Sequence, residues 1–152
     1  MDAPMVPVSI GELVDKWVIL QIKANRIKDD DKLQNVLAEL EILSNIVSPY
    51  LHQEDTHDLV ATVIEQLVDA NEALWDIEDE IRELDREKVP ERFKQFFDEE
   101  GALGEDECEK VARFFELAQL VYITNDDRCM FKRKLNEILG SELVEEKSYQ
   151  EY

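Results

Sequence analysis

Glycine and proline are scarce in this chain, with four of each among 152 residues. A β-rich fold needs turn residues in larger supply, so the shortage favours helix. Cysteine is nearly absent. Cys108 and Cys129 lie in no CxxC and no Cys/His spacing that would hold a metal, so both read as free thiols in a reducing cytosol. Positive charge is also short: 17 Lys and Arg stand against 37 Asp and Glu, a net charge of −20. Such a surface repels phosphate backbones, which argues against nucleic-acid binding as the main role. No apolar run approaches the roughly 20 residues that a membrane span needs, so no membrane role is expected. There is no Gly-rich phosphate loop and no Ser or Cys elbow. His52 and His57 stand five apart without a ligand pattern and read as solvated. Residues 1–8, with Pro4 and Pro7, read as an extended lead-in rather than a secretory leader, and the expected location is cytoplasmic.

What is present is helical periodicity. The length suits one domain with a real core, so 1–152 reads as a single helical domain. Ser9 followed by Glu12 is a capping-box pattern opening a helix over 10–28, with Val14, Trp17, Val18 and Ile22 on a broad apolar face. Asp29, Asp30 and Asp31 break and recap the chain before a second helix over 32–47, which Pro49 should end. A third helix is expected over 56–88, stopped by Pro90. Residues 91–106 read as a short helix plus loop. A fourth helix is expected over 107–139, closed by Gly140 as C-cap. Residues 141–152 form a polar C-terminal tail with Leu143 and Val144 as anchors. The fold class is therefore all-α: an antiparallel bundle of about four helices, or two long helical hairpins.

Chemistry is signalled where polar residues fall on positions that periodicity marks as apolar. In the third helix, Asn71 and Glu78 stand in line with Ile64, Leu67, Leu74 and Ile81, flanked by Asp79 and Arg82. In the fourth, Asn125, Arg128 and Lys132 stand in line with Val111, Phe114 and Val121. A buried charge costs several kcal/mol unless it is paired. Opposite signs on the two seams therefore predict pairing, Glu78 with Arg128 or Lys132 being the natural choice. Such a set reads either as a network that fixes helix register or as a charged pocket for a small polar ligand. Glu12, Asp15, Lys16, Lys23 and Arg26 form a polar row on the first helix. That row reads as a solvated face, with Glu12 and Asp15 favoured by the helix dipole.

The same residues lie in longer motifs. The chain resembles a bacterial and phage family of all-helical proteins known only as a domain of unknown function. The resemblance rests on VSIGELVDK at 8–16 with 19–27, NEALWDIEDEIR at 71–82 and VYITNDDR at 121–128. Lys132, Asn136 and GSELVEEKSY at 140–149 complete it. It covers nearly the whole chain. The segment 89–108 is longer than the family's usual connection, which leaves the Phe93–Phe97 cluster outside the pattern. The resemblance carries no assigned activity, but it implies that the seam residues and the tail act together.

The first expectation is thus a small anionic ligand, nucleotide- or sugar-phosphate-like, at the junction of the first, third and fourth helices. Arg82, Arg128 and Lys132 would hold its charge, Asn71 and Asn125 its polar edges, and Trp75 would wall it. Glu78 would orient a base, or act as general acid/base if the chain is an enzyme. Tyr149 would cover the ligand. No cofactor and no metal ligand set is assigned. The alternative is an acidic interaction or scaffolding protein that binds a basic partner or its own copy as a homodimer, with the polar seams paired internally. A third reading is a Mg-dependent hydrolase using Glu12, Asp15, Glu78 and Asp79.

Overall fold

The computed structural model describes residues 5–98 and 103–146. Among these the chain is all-α, with five helices and no strand. Helix α1 (Ile10–Arg26) starts at Ser9, whose Oγ accepts from the Glu12 N–H at 3.2 Å. Helix α2 (Asp30–Leu51) is capped by Asp29, whose carboxylate accepts from the Lys32 N–H at 2.9 Å. Helices α3 (His57–Arg86), α4 (Val89–Asp98) and α5 (Glu105–Leu139) follow.

Two proline assignments differ from expectation. Pro49 lies inside α2, which continues to Leu51. A proline near a helix end removes a single hydrogen bond, and the last turn tolerates that loss. Pro90 begins a helix rather than ending one. The break comes earlier, at Lys88, whose φ of 59° is left-handed. Pro90 then occupies the first turn of α4, where no backbone donor is needed. The segment expected as short helix plus loop therefore supplies a fifth helix.

By Cα proximity the chain falls into two compact units. One holds residues 1–71 and 128–152, the other 72–127. No composition shift marks the boundary, because α3 and α5 each pass through it as continuous helices.

In the first unit α1 packs on α2. Val14, Val18, Leu20 and Ile22 of α1 are buried, as are Val47, Val60, Val63, Leu67, Leu135 and Leu139. Each such side chain contributes on the order of 1.5–3 kcal/mol. The Trp17 indole N–H also donates to Ser44 Oγ at 3.0 Å, so Trp17 is bound to the α2 face. In the second unit Ile77, Leu84, Val89 and Leu117 form a core, with Ile81, Val111, Phe114, Leu120 and Val121 packed against it. The Phe93 and Phe115 rings meet edge to face, 5.5 Å between centroids. Arg113 donates to both Glu80 oxygens at 2.7 and 2.8 Å and to Glu116 at 2.7 Å. This fixes α5 antiparallel to α3 there, although groups this exposed contribute little stability. No helix among the described residues is long and apolar enough to cross a membrane.

The core assignment has a direct check. Leu117→Ala should cost about 2–5 kcal/mol, because a fully buried side chain leaves a cavity, whereas the half-exposed Leu37→Ala should change stability by under about 0.5 kcal/mol. Urea unfolding of the two variants measures both.

Candidate functional site

The polar residues of the first unit converge on the start of α1. Ile10, Gly11 and Glu12 of its first turn present N–H groups with no helical partner, and each is met, while Leu13 makes the first helical bond. The Ile10 N–H donates to Ser141 Oγ (3.1 Å), Gly11 to Asn136 Oδ1 (2.6 Å) and Glu12 to Ser9 Oγ. The Leu13 N–H donates to the Ser9 carbonyl (3.1 Å). Gly11 permits this closure. Any Cβ at that position would overlap the Lys132 carbonyl oxygen, a backbone atom that cannot swing aside.

Ser141 reaches α1 because of how α5 ends. Gly140 takes a φ of +64°, and the Ser141 N–H turns back to the Asn136 carbonyl at 2.9 Å. That six-to-one bond is the signature of a Schellman ending. The chain is thereby redirected, and residues 141–146 run back toward α1. Glu145 then shares the Lys132 ammonium with Glu12, at 2.7 and 2.6 Å. Glu146 takes Arg133 at 2.6 Å.

One turn further along α1, Asp15 is 1% exposed. Its Oδ1 accepts from Arg128 Nε at 2.9 Å and from Asn71 Nδ2 at 3.0 Å, while Oδ2 accepts from Arg128 Nη2 at 2.5 Å. Asn71 also donates to the Leu67 carbonyl at 2.9 Å, which pins its amide to α3. The Asp15 hydrogen bonds raise the Arg128 pKa further above its ordinary value, against the opposing effect of burial. For Lys132, burial is the largest single influence and pulls the pKa down. Hydrogen bonds to Glu12 and Glu145, with the Coulombic attraction of Glu12 and Asp15, together outweigh it, so the net shift is upward. Both cations are held charged by carboxylates of this chain.

This arrangement corrects the expected pairing. Arg128 and Lys132 meet Asp15, Glu12 and Glu145, whereas Glu78 is half exposed and pairs one turn along its own helix with Arg82, at 2.9 Å. Asn71, Arg128 and Lys132 thus come together in the first unit. Trp75, Glu78, Arg82 and Asn125 belong to the second. There, Asn125 donates to the Val121 carbonyl of its own helix at 3.0 Å. Tyr149 lies outside the described residues. Glu12 and Asp15 of the hydrolase reading are likewise in the first unit, and Glu78 and Asp79 in the second. Among the described residues no group of three or more His, Cys, Asp or Glu is placed to hold a metal ion.

Sequence reasoning missed Asp15, Asn136, Ser141 and Glu145 as partners. Asp15 carried a signal. It lies in line with Gly11, Val14, Val18 and Ile22, the buried seam of α1. Asn136, Ser141 and Glu145 lay inside the motifs of the resemblance, but nothing local named their partners: Asn136 meets Gly11 only where α5 packs on α1, and Ser141 and Glu145 depend on the reversal at Gly140.

No family model, curated protein or solved structure matches the chain. The site is therefore read from its own geometry.

Three outcomes follow from the clasp. Arg128→Ala should destabilise by about 3 kcal/mol, because Asp15 stays buried without its main counter-charge. Asp15→Ala with Arg128→Ala should recover part of that loss in a double-mutant cycle. Gly11→Ala should cost about 1–3 kcal/mol by overpacking against backbone. The pH dependence also has a definite sign. The Lys132 pKa is raised on folding, so its stabilisation is complete below the ordinary lysine value of 10.5 and is lost as pH rises through the folded value. Thermal unfolding at alkaline pH should fall more steeply for the wild type than for Lys132→Met.

Proposed function

We propose that the protein is an acidic interaction module that engages a basic partner. In this reading the buried polar network is a structural clasp and not a ligand site. The observation that carries the reading is the internal use of the seam cations. Arg128 and Lys132, the groups an anionic ligand would need, each hold carboxylates of the same unit. A ligand phosphate at Arg128 would have to displace the enclosed Asp15 and leave that carboxylate without its partner, at a cost of several kcal/mol.

The charge balance supports the same conclusion. If every one of the 17 Lys and Arg neutralised one acid, 37 − 17 = 20 carboxylates would remain. That excess has to lie largely on the surface, because uncompensated buried carboxylates are too costly. An acidic surface accelerates encounter with a basic partner and opposes association with a second acidic copy.

Fluorescence anisotropy with a labelled octalysine peptide tests the proposal. Affinity should fall steeply with added salt, since surface attractions are screened over about 10 Å at 0.1 M. Octaglutamate should not bind. Absence of octalysine binding at low salt would sink the proposal, as would tight binding of inorganic phosphate that is lost in Arg128→Ala while the fold persists.

A further inference from the structure

One concavity of the first unit contains a built polar feature that the clasp does not use. It lies at the end of α5, measures about 560 Å³, and is walled by Arg133, Glu137, Gly140, Ser141, Val144 and Glu146. Asn136 also lines it and is 4% exposed. The amide orientation is settled by chemistry. The Gly11 N–H requires an acceptor, so Oδ1 faces α1 and the Nδ2 donors turn the other way. Among the described residues Nδ2 has no hydrogen-bond partner. Nδ2 is not enclosed: among the described residues Thr56 Oγ1 is the buried side-chain atom without a partner, so the Nδ2 donors keep contact with solvent and stay accessible to a ligand.

The charges around it set what can complete the site. Glu146 is engaged by Arg133. Glu137 has no ion pair among the described residues. The last turn of α5 adds carbonyl oxygens and the negative end of the helix dipole. The concavity thus offers the N–H donors of one fixed amide next to an acidic rim and the apolar face of Val144. A ligand that fits presents a carbonyl acceptor together with a cation. A lysine- or arginine-bearing peptide segment has both, its backbone carbonyl for Asn136 and its side chain for Glu137. A phosphate would face the Glu137 carboxylate, and a polyamine has no acceptor for the amide.

We infer that this concavity is where a basic peptide segment of the partner docks, with Asn136 Nδ2 donating to a peptide carbonyl and Glu137 taking a Lys or Arg. The inference rests on the basic-partner reading above and names its site.

The decisive variant is Asn136→Asp. The aspartate keeps an oxygen for the Gly11 N–H, and its charge suits the start of α1, so the fold should survive. It loses the donor and adds a negative charge. Docking through the amide predicts that octalysine binds about three- to tenfold more weakly, the worth of one hydrogen bond, while spermine binds equally well or better. Simple charge attraction predicts the opposite sign for octalysine. Glu137→Gln should weaken both ligands about two- to fivefold. On the wild type, the Asn136 side-chain amide signals in NMR should shift with octalysine and not with spermine, which decides the matter even if the variant fails to fold. Octalysine binding that Asn136→Asp leaves unchanged or strengthens, or unmoved amide signals, would overturn the site and leave the basic-partner reading standing. A wild type that binds no octalysine would overturn both.

Discussion

A carboxylate that cannot reach water organises the first unit. Asp15 is fully enclosed on α1, and an enclosed carboxylate is tolerable only with compensating donors. Arg128 of α5 and Asn71 of α3 supply them, so one side chain ties three helices at a defined height. The other contacts follow from that register. With Asp15 opposite Arg128, Glu12 falls one turn away opposite Lys132, and Gly11 another short step away beside Asn136. The pairs advance in opposite directions along the two helices, which is the antiparallel arrangement. Hydrophobic burial supplies most of the stability, but it tolerates sliding. The hydrogen-bonded pairs do not.

The C-terminal segment belongs to the same device. Gly140 reverses the chain and delivers Ser141 to the first N–H of α1 and Glu145 to Lys132. The start of α1, otherwise a natural place for an anion, is filled by Ser9, Asn136 and Ser141. Of the cations that sequence reasoning assigns to an anionic ligand, Arg128 and Lys132 are held by carboxylates of the same unit. Asn136 is left with Oδ1 committed to α1, while its side chain also lines the concavity at the end of α5.

The second unit shows how similar residues act without enclosure. Arg113 with Glu80 and Lys110 with Glu87 have short contacts, yet these groups stay substantially in water. The Arg113 hydrogen bond lowers the Glu80 pKa, but solvent screening keeps the stability effect small. Glu78 and Arg82 are a plain surface pair. Their seam spacing resembled that of buried groups because helical period reports a face, not how deeply that face is covered.

The all-α class, the Ser9 and Asp29 caps, the end of α5 at Gly140 and most of the apolar seams were set by sequence alone. Each depends on residues within a turn or two of one another, and local chemistry decides them. Sequence also marked Asn71, Arg128 and Lys132 as misplaced polar residues needing partners. It could not name those partners, since Asp15 and Arg128 stand 113 positions apart and meet only when α1 and α5 pack antiparallel. Tertiary structure alone decided that Lys132 is shared by Glu12 and Glu145. It also decided that Gly11 must lack a side chain and that Asn136 gives its Oδ1 to α1. These are facts of interhelical distance, fixed by a backbone approach that no periodicity encodes.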